Sequence, residues 1–369
     1  MYGIIELDAH DLSDPEREVA ENVATCLKAY LLAEEGLRAD EVLVQRQIRR
    51  SFSTIFFFEA KLAHDSRRFV AKKITHPPIN RSVTQRSNQA VVEYGVLQRL
   101  QEAFSSLQGL GVPRPTLLLP EYEAYVMEYV EGEMLVNCFN AVKHLQPWRT
   151  FHQLAGRYSQ VGEWLRHFQR FTMAGLRGVE GLDEVWERCT LVAERIDTNK
   201  SPRLPKNFAA SVLTRLDELR LQIKPGSIPC CGWHHDFGPW NMIVDKDRLT
   251  VIDFLGYSIG PVVLDPLKVL ISLHDEAVYV TNSTGRIRTL RERFLAGYAP
   301  LPRASAEAVL MCEALYRLSS VVASLGAKNE RPDRQLARRV ILKRHVKWLY
   351  DEGIRSSSWP ESLDHAQVH

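Results

Sequence analysis

The residues with the most chemical potential in this chain lie in one short stretch, His234-His235-Asp236-Phe237-Gly238-Pro239-Trp240-Asn241, followed by Val251-Ile252-Asp253-Phe254. Between them, residues 241–244 and 249–254 read as two strands of a hairpin closed by Asp245-Lys246-Asp247-Arg248. If Val244 lies opposite Leu249, Asn241 faces Ile252 and Asp253 falls beside Asn241 at the open end of the pair. Asp236 precedes Asn241 on a Gly-Pro loop short enough to return its carboxylate to the same place. One amide oxygen and one carboxylate suit a hard divalent cation such as Mg²⁺, which keeps several waters and takes further ligands from phosphate. The second carboxylate is then left to act on a substrate. The adjacent histidines are also compatible with a zinc or iron fragment, but no second His/Asp/Glu cluster at ligand spacing completes such a site.

These groups need a frame to hold them. Ser13-Asp14-Pro15-Glu16 has the form of a helix start with a capping box, and the helix is expected to run to about Gly36. Strand-like segments at 41–48, 55–63 and 68–74 then read as an antiparallel meander. Val92, Val96, Leu97 and Leu100 give residues 88–100 a helical apolar spacing, with Glu93 inside it. After a break at 111–115, strands are expected over 116–119 and 124–130, ending at Glu131-Gly132. Beyond that glycine the pattern turns helical, most clearly over 151–171, 208–222, 305–323 and 333–350. The fold class is therefore α+β, with residues 1–39 a helical extension, 40–131 a small β-rich lobe and 132–369 a larger, mainly helical lobe.

The H-x-D-x4-N pattern of His234, Asp236 and Asn241, followed by a hydrophobic strand and Ile252-Asp253-Phe254, resembles the aminoglycoside phosphotransferase and choline kinase superfamily, small-molecule relatives of the protein kinases. Phe69-Val70-Ala71-Lys72-Lys73-Ile74 resembles the kinase V-A-I-K strand, and Val91-Val92-Glu93-Tyr94 the helix supplying its glutamate partner. Met127-Glu128-Tyr129-Val130-Glu131-Gly132 is similar to the hinge where adenine meets backbone groups. Gly260-Pro261 with Leu264-Asp265-Pro266 resembles the family segment G-D-P-x-x-D-L, and Phe294-Leu295-Ala296-Gly297-Tyr298 a common later helix. In order and spacing these features cover roughly residues 40–300, and together they are far more specific than any one of them.

The resemblance implies a protein-kinase-like two-lobed fold that uses ATP and Mg²⁺ to move the γ-phosphoryl group to a hydroxyl of a small molecule such as an aminoglycoside, amino alcohol or sugar. It implies that Asp236 is the catalytic carboxylate, that Lys72 holds the α- and β-phosphates while paired with Glu93, and that Asn241 and Asp253 hold the metal. Glu128 and Val130 fall at the adenine hinge, Ser53 and Thr54 in the phosphate-covering turn, and His234 and Asp265 among the groups that brace the catalytic loop. The chain also departs from the family. Ser51-Phe52-Ser53-Thr54 contains no glycine, His235 stands where a glycine is usual, and strand alternation sends Lys72 and Lys73 to opposite faces. The alternative is a pseudokinase, a kinase-shaped nucleotide-binding or scaffolding module impaired by the glycine-free turn.

Composition bounds the rest. Hydrophobic residues at 45% and charged residues at 25% describe a globular chain, and a net charge of +2 offers no electrostatic reason to expect nucleic acid. The six cysteines lack C-x-x-C spacing and read as reduced core thiols. Residues 1–12 lack the basic and apolar regions of a signal peptide, no apolar run of membrane-spanning length stands out, and a cytoplasmic location is expected. Residues 328–347 are rich in arginine and lysine, with Leu336, Val340, Val346 and Leu349 as an apolar face, which reads as a packed C-terminal helix with a solvated basic side or, alternatively, as a surface that attracts an anionic acceptor or a membrane. A polycationic aminoglycoside calls for an acidic pocket, and the local acidic cluster is Asp275-Glu276 beside His274.

Overall fold

Phe56, Phe58 and Ala60, Phe69 and Ala71, and Ala124 and Val126 recur at every second position along three segments, a period-2 pattern that buries one face of a sheet. In the computed structural model, which describes residues 5–8, 12–75, 88–199, 201–326, 332–351, 354, 357 and 359, that face closes on a helix. The chain runs β1 (Ile5–Asp8), α1 (Asp14–Glu35), β2 (Ala39–Arg49), β3 (Ser53–Leu62), β4 (Ser66–Ile74), α2 (Gln89–Phe104), β5 (Leu110–Gly111), β6 (Pro115–Leu119) and β7 (Ala124–Glu128). Six of these strands form one sheet in the order β1-β2-β3-β4-β7-β6. Glu16, one turn into α1, accepts the backbone N–H of its N-cap Ser13 (3.1 Å) and the Arg49 guanidinium at the end of β2 (2.6 Å). Val23, Leu27 and Leu31 of α1 are fully buried in the same core as Phe56, Phe58 and Phe69. Residues 1–39 are thus no separate extension, because α1 supplies the cover for the sheet.

The chain continues through β8 (Glu133–Met134), α3 (Leu135–Cys138), α4 (Trp148–Phe171), β9 (Gly175–Arg177), α5 (Asp183–Asn199), α6 (Phe208–Arg220) and β10 (Ile228–Trp233). The hairpin of β11 (Met242–Asp245) and β12 (Arg248–Val251) follows, and β13 (Ser258–Pro261), α7 (Leu264–Glu276), α8 (Thr284–Tyr298), α9 (Ala306–Gly326) and α10 (Pro332–Val346) complete the chain. Contacts divide it into two units, Met1–Gly132 with Ile243–Gly256, and Glu133–Met242 with Tyr257–His369. The hairpin therefore belongs with the N-terminal sheet, where β12 runs parallel to β5, whereas a single boundary at Gly132 assigns it to the later lobe. Gly132 itself has φ +125, and a Cβ there would collide with the Val244 carbonyl. The hairpin is also shorter than the sequence pattern predicts. Asn241 ends a 3₁₀ turn before β11 and Asp253 follows the end of β12, so neither lies in a paired strand.

In the second unit α4 packs on α8, where Gly162 and Gly297 face the partner helix so closely that a Cβ on either would enter backbone, Phe294 O for one and Ser159 O for the other. The apolar core gathers α5, α6, α7 and α9 around the three-stranded sheet β13-β10-β9. By length and composition α9 could span a membrane, a property the sequence pattern did not bring out; in this fold it is a core helix that carries the buried pair Glu313 and Arg317 (2.6 Å). All six cysteines are free; four are buried, and burial pushes the Cys189 thiol up to about 12. The basic C-terminal helix is α10, followed by a π-helical turn at Lys347–Asp351, but it packs through Ala337, Ile341 and Leu342 and leaves the expected Leu336 and Val340 exposed, while 328–331 of the basic stretch lie outside the described residues.

The α4–α8 crossing yields a stability prediction. Gly162→Ala forces the helices apart and is expected to cost roughly 1–3 kcal/mol, read as a lowered midpoint in chemical denaturation, whereas Gly156→Ala on the same helix, with nothing near its would-be Cβ, is expected to be neutral or slightly stabilising.

Candidate functional site

In the first unit, strand register sets Lys72 of β4 between Ile55 of β3 and Tyr125 of β7. The side chain is buried, at 3% exposure, and its ammonium donates to both oxygens of Glu93 (2.8 and 2.9 Å) and to Asp253 Oδ1 (2.6 Å). Glu93 lies on the buried face of α2 and also accepts the Tyr125 hydroxyl. Burial works against the Lys72 charge, but the attraction of Asp253 and Glu93 outweighs it and holds the pKa above its ordinary value. Lys73, one residue on, faces the other way and is half-buried. Asp253 sits in the left-handed region at φ +70, a conformation Asp tolerates better than most residues, and its Oδ2 lies 3.6 Å from the Arg50 guanidinium.

Arg50 belongs to the glycine-free turn, closed by its N–H to Ser53 O (2.8 Å). Ser53 and Thr54 are the first residues of β3 and are buried, paired with Ile74 and Lys73. At the expected hinge, the Glu128 carboxylate accepts Arg67 (2.5 Å) and its N–H donates to Arg114 O (2.9 Å), while Val130 lies half-buried in the link to Gly132.

In the second unit, β10 delivers the loop that begins at His234. Asp265, at the start of α7, reaches back to accept the His234 N–H (2.9 Å) and also bonds the His235 backbone. Both His234 and Asp265 are buried, so they brace the loop from beneath. His235 occupies the left-handed region at φ +69, which explains why glycine suits that position. Here the ring stacks on Trp233 with centroids 3.5 Å apart, and its Nε2 meets Ser258 Oγ (2.7 Å), which donates to Glu184 (2.7 Å). The loop then presents Asp236 with its side chain 54% exposed. The carboxylate is held by three donors: Lys268 Nζ to Oδ1 (2.5 Å), and Trp240 Nε1 (2.9 Å) and Asn241 Nδ2 (3.0 Å) to Oδ2. Lys268 also donates to the His235 carbonyl (2.9 Å).

Because Asn241 turns its amide nitrogen toward Asp236, its Oδ1 is left as an oxygen donor, and in the first unit Asp253 by itself offers a carboxylate. Both are hard oxygen donors of the kind Mg²⁺ takes. Among the described residues no three His, Cys, Asp or Glu side chains gather as a metal-binding group, which gives the zinc reading of His234-His235 no ligand set.

Residues 61–308 match the family model described as the phosphotransferase enzyme (APH) family, more than half of the chain. The chain belongs to this family. Solved structures of similar fold include a glucosamine kinase in complex with glucosamine, ADP and inorganic phosphate (TM-score 0.54, 15% identity, covering 86% of this chain and 83% of that one). An amicoumacin kinase in complex with AMP-PNP, Ca²⁺ and Ami (TM-score 0.51, 13% identity, 92% and 96%) and a choline kinase from Cryptosporidium parvum (TM-score 0.50, 14% identity, 90% and 97%) are also similar. No curated protein matches the chain. The protein-kinase-like fold expected from the sequence is the one observed, and as a member of the phosphotransferase family the chain falls in a class that uses nucleotide.

Several groups were not picked out from sequence: Arg50 in the first unit and, around the loop of the second, Lys268, Trp240 and the Ser258–Glu184 pair. Lys268 did leave a signal, a lone cation in the apolar run Leu264-Asp265-Pro266-Leu267-Lys268-Val269-Leu270, one helical turn from Asp265 and so on its face. Ser258 and Glu184 left none, since they lie far apart in the chain.

Two predictions follow from these buried charges. In this family member Lys72→Met leaves Glu93 buried without its cation, and is expected to cost about 3–5 kcal/mol in denaturant titration, with Lys73→Met near neutral as the control. Burial pushes the Asp265 carboxyl up to about 7, against the lowering pull of the His234 N–H and Lys268. The folded state then holds a proton that the unfolded chain releases near its ordinary value, so this group's contribution to stability is present at low pH and is lost as pH rises toward 7. The stability of wild type relative to Asp265→Asn is expected to fall by at most about 1.4 kcal/mol per unit between pH 4 and 7, and a flat difference would contradict the assignment.

Proposed function

We propose that the chain is an active ATP-dependent phosphotransferase that moves the γ-phosphoryl group to a hydroxyl of a small molecule, with Asp236 as its general base. The observation that carries this reading is the Asp236 carboxylate itself, more than half exposed yet fixed by three donors on a loop braced by a buried Asp265. A base must be both reachable and oriented, and a carboxylate held in this way is both. The acceptor hydroxyl gives its proton to Asp236 as its oxygen bonds the γ-phosphorus, and the bond from that phosphorus to the β-bridging oxygen breaks to release ADP.

Lys72, held charged by Glu93, serves the α- and β-phosphates, and Glu128 and Val130 mark the adenine hinge. Asn241 and Asp253 would hold Mg²⁺, which when bound neutralises charge on the phosphates. The turn before β3 lacks the glycines that ease the approach of backbone N–H groups to a phosphate, and the buried Ser53 and Thr54 add a hydroxyl or a backbone N–H. Arg50, whose guanidinium already faces Asp253, supplies there a cation in place of backbone donors. The pseudokinase alternative gains nothing from this turn, because a charged group takes over the role of the missing glycines.

Asp236→Asn keeps the shape of the side chain and removes its basicity. It is expected to lower kcat for acceptor-stimulated ADP release by about 10²- to 10⁴-fold, with the KM for ATP little changed. Full turnover in the variant, measured with a coupled ADP assay across sugars, polyols, hydroxy acids and amino alcohols, would refute the role of Asp236.

A further inference from the structure

The charges around Asp236 discriminate among hydroxylated acceptors. A carboxylate offers about four lone-pair positions, and three are taken, two on Oδ2 by Trp240 and Asn241 and one on Oδ1 by Lys268. An incoming hydroxyl therefore donates to Oδ1, the oxygen 2.5 Å from the Lys268 ammonium. That ammonium spends a second proton on the His235 carbonyl and keeps a third, and its side chain is 18% exposed. It also lies 5.4 Å from the centre of the Trp240 ring, which is itself 38% exposed and offers a flat face beside the base. The reacting oxygen thus arrives next to a fixed positive charge.

The acidic cluster noted in the sequence, Asp275-Glu276, is engaged elsewhere in the same unit. Asp275 accepts the buried His345 Nε2–H (2.9 Å to Oδ1) and the Ser320 hydroxyl (3.4 Å to Oδ2). Glu276 accepts Asn282 Nδ2 (3.0 Å), and burial raises its pKa. The pocket behind the loop, between Phe237, Gly238, Pro239, Tyr158 and Val269, has no carboxylate in its lining.

Building on the phosphotransferase reading, we infer that Lys268 is a specificity-determining residue, and that the acceptor is a neutral or anionic alcohol with no amine or quaternary ammonium near the reacting hydroxyl. Its ammonium favours oxygen-rich acceptors such as polyols, sugars and hydroxy acids, and repels amino alcohols and aminated sugars through like charge at close range.

The test uses matched pairs that differ only in charge next to the hydroxyl, glycerate or glycerol against serinol and glucose against glucosamine, with the full chain, ATP and Mg²⁺. Wild type is expected to prefer the uncharged or anionic member by about tenfold or more in kcat/KM. Lys268→Met is expected to shrink that ratio through the KM of the aminated member, with the KM for ATP unchanged, and Lys268→Arg to preserve it. A wild-type preference for the aminated members, or a ratio that Lys268→Met leaves unmoved, overturns the inference. Calorimetric binding of the same probes to ATP-loaded Asp236→Asn separates the two readings, since it needs no turnover. Charge-ranked binding that disappears in the Asp236→Asn, Lys268→Met double variant keeps the selectivity even if wild type proves inactive. Unranked binding, or no binding by either class, counts against it.

Discussion

A lysine ammonium at 3% exposure cannot stay charged alone, and the first unit is organised around keeping Lys72 charged. The solution draws on three parts of the chain. β4 carries the lysine, α2 carries Glu93, both of whose oxygens accept from the ammonium, and the segment after β12 bends through a left-handed Asp253 to bring a second carboxylate within 2.6 Å. Two carboxylates against one ammonium leave one formal negative charge in excess, and Arg50 stands 3.6 Å from Asp253 Oδ2, the oxygen that Lys72 does not use. A helix, a sheet and a returning hairpin are thereby fastened by one charge group. The same geometry that stabilises the unit presents cations and a carboxylate of the kind polyphosphate and Mg²⁺ require.

The second unit solves a different problem, that of fixing the Asp236 carboxylate where solvent can reach it. Asp265 works from the buried side on backbone N–H groups, and Lys268, one turn further along α7, works from the exposed side on the carboxylate and on the His235 carbonyl. One helix therefore sets both the path of the loop and the charge beside its carboxylate. His235 takes a left-handed conformation that costs a residue with a Cβ about 1 kcal/mol or more, and its stack on Trp233 with the bond to Ser258 offsets that cost. The substitution of glycine is thus accommodated by neighbours specific to this chain.

What could be read from sequence was what depends on local spacing. The period-2 strands, the helical run around Glu93 and the Asp236-to-Asn241 loop are all short-range patterns, and each appears in the fold. The relation of Lys72 to Glu93 was legible only through family resemblance, since the residues are separated by 21 positions. Illegible were the features that depend on distant contacts. The packing of α1 into the sheet core, the grouping of the hairpin with the N-terminal unit, and the reach of Glu184 to Ser258 all join residues that share no pattern along the chain. Lys268 fell between these cases. Its spacing from Asp265 was visible, but its contact with Asp236 depends on how the loop folds back over α7.

The most direct test of the central claim is phosphorus NMR of ATP titrated with the full chain, with and without Mg²⁺. If the Lys72 charge group serves the nucleotide phosphates, the α- and β-phosphorus resonances shift and broaden on addition of protein, more strongly with Mg²⁺, and Lys72→Arg, which keeps the charge but not the fit to Glu93, weakens the effect. Phosphorus resonances that stay unchanged at saturating protein, with and without the metal, would contradict the account.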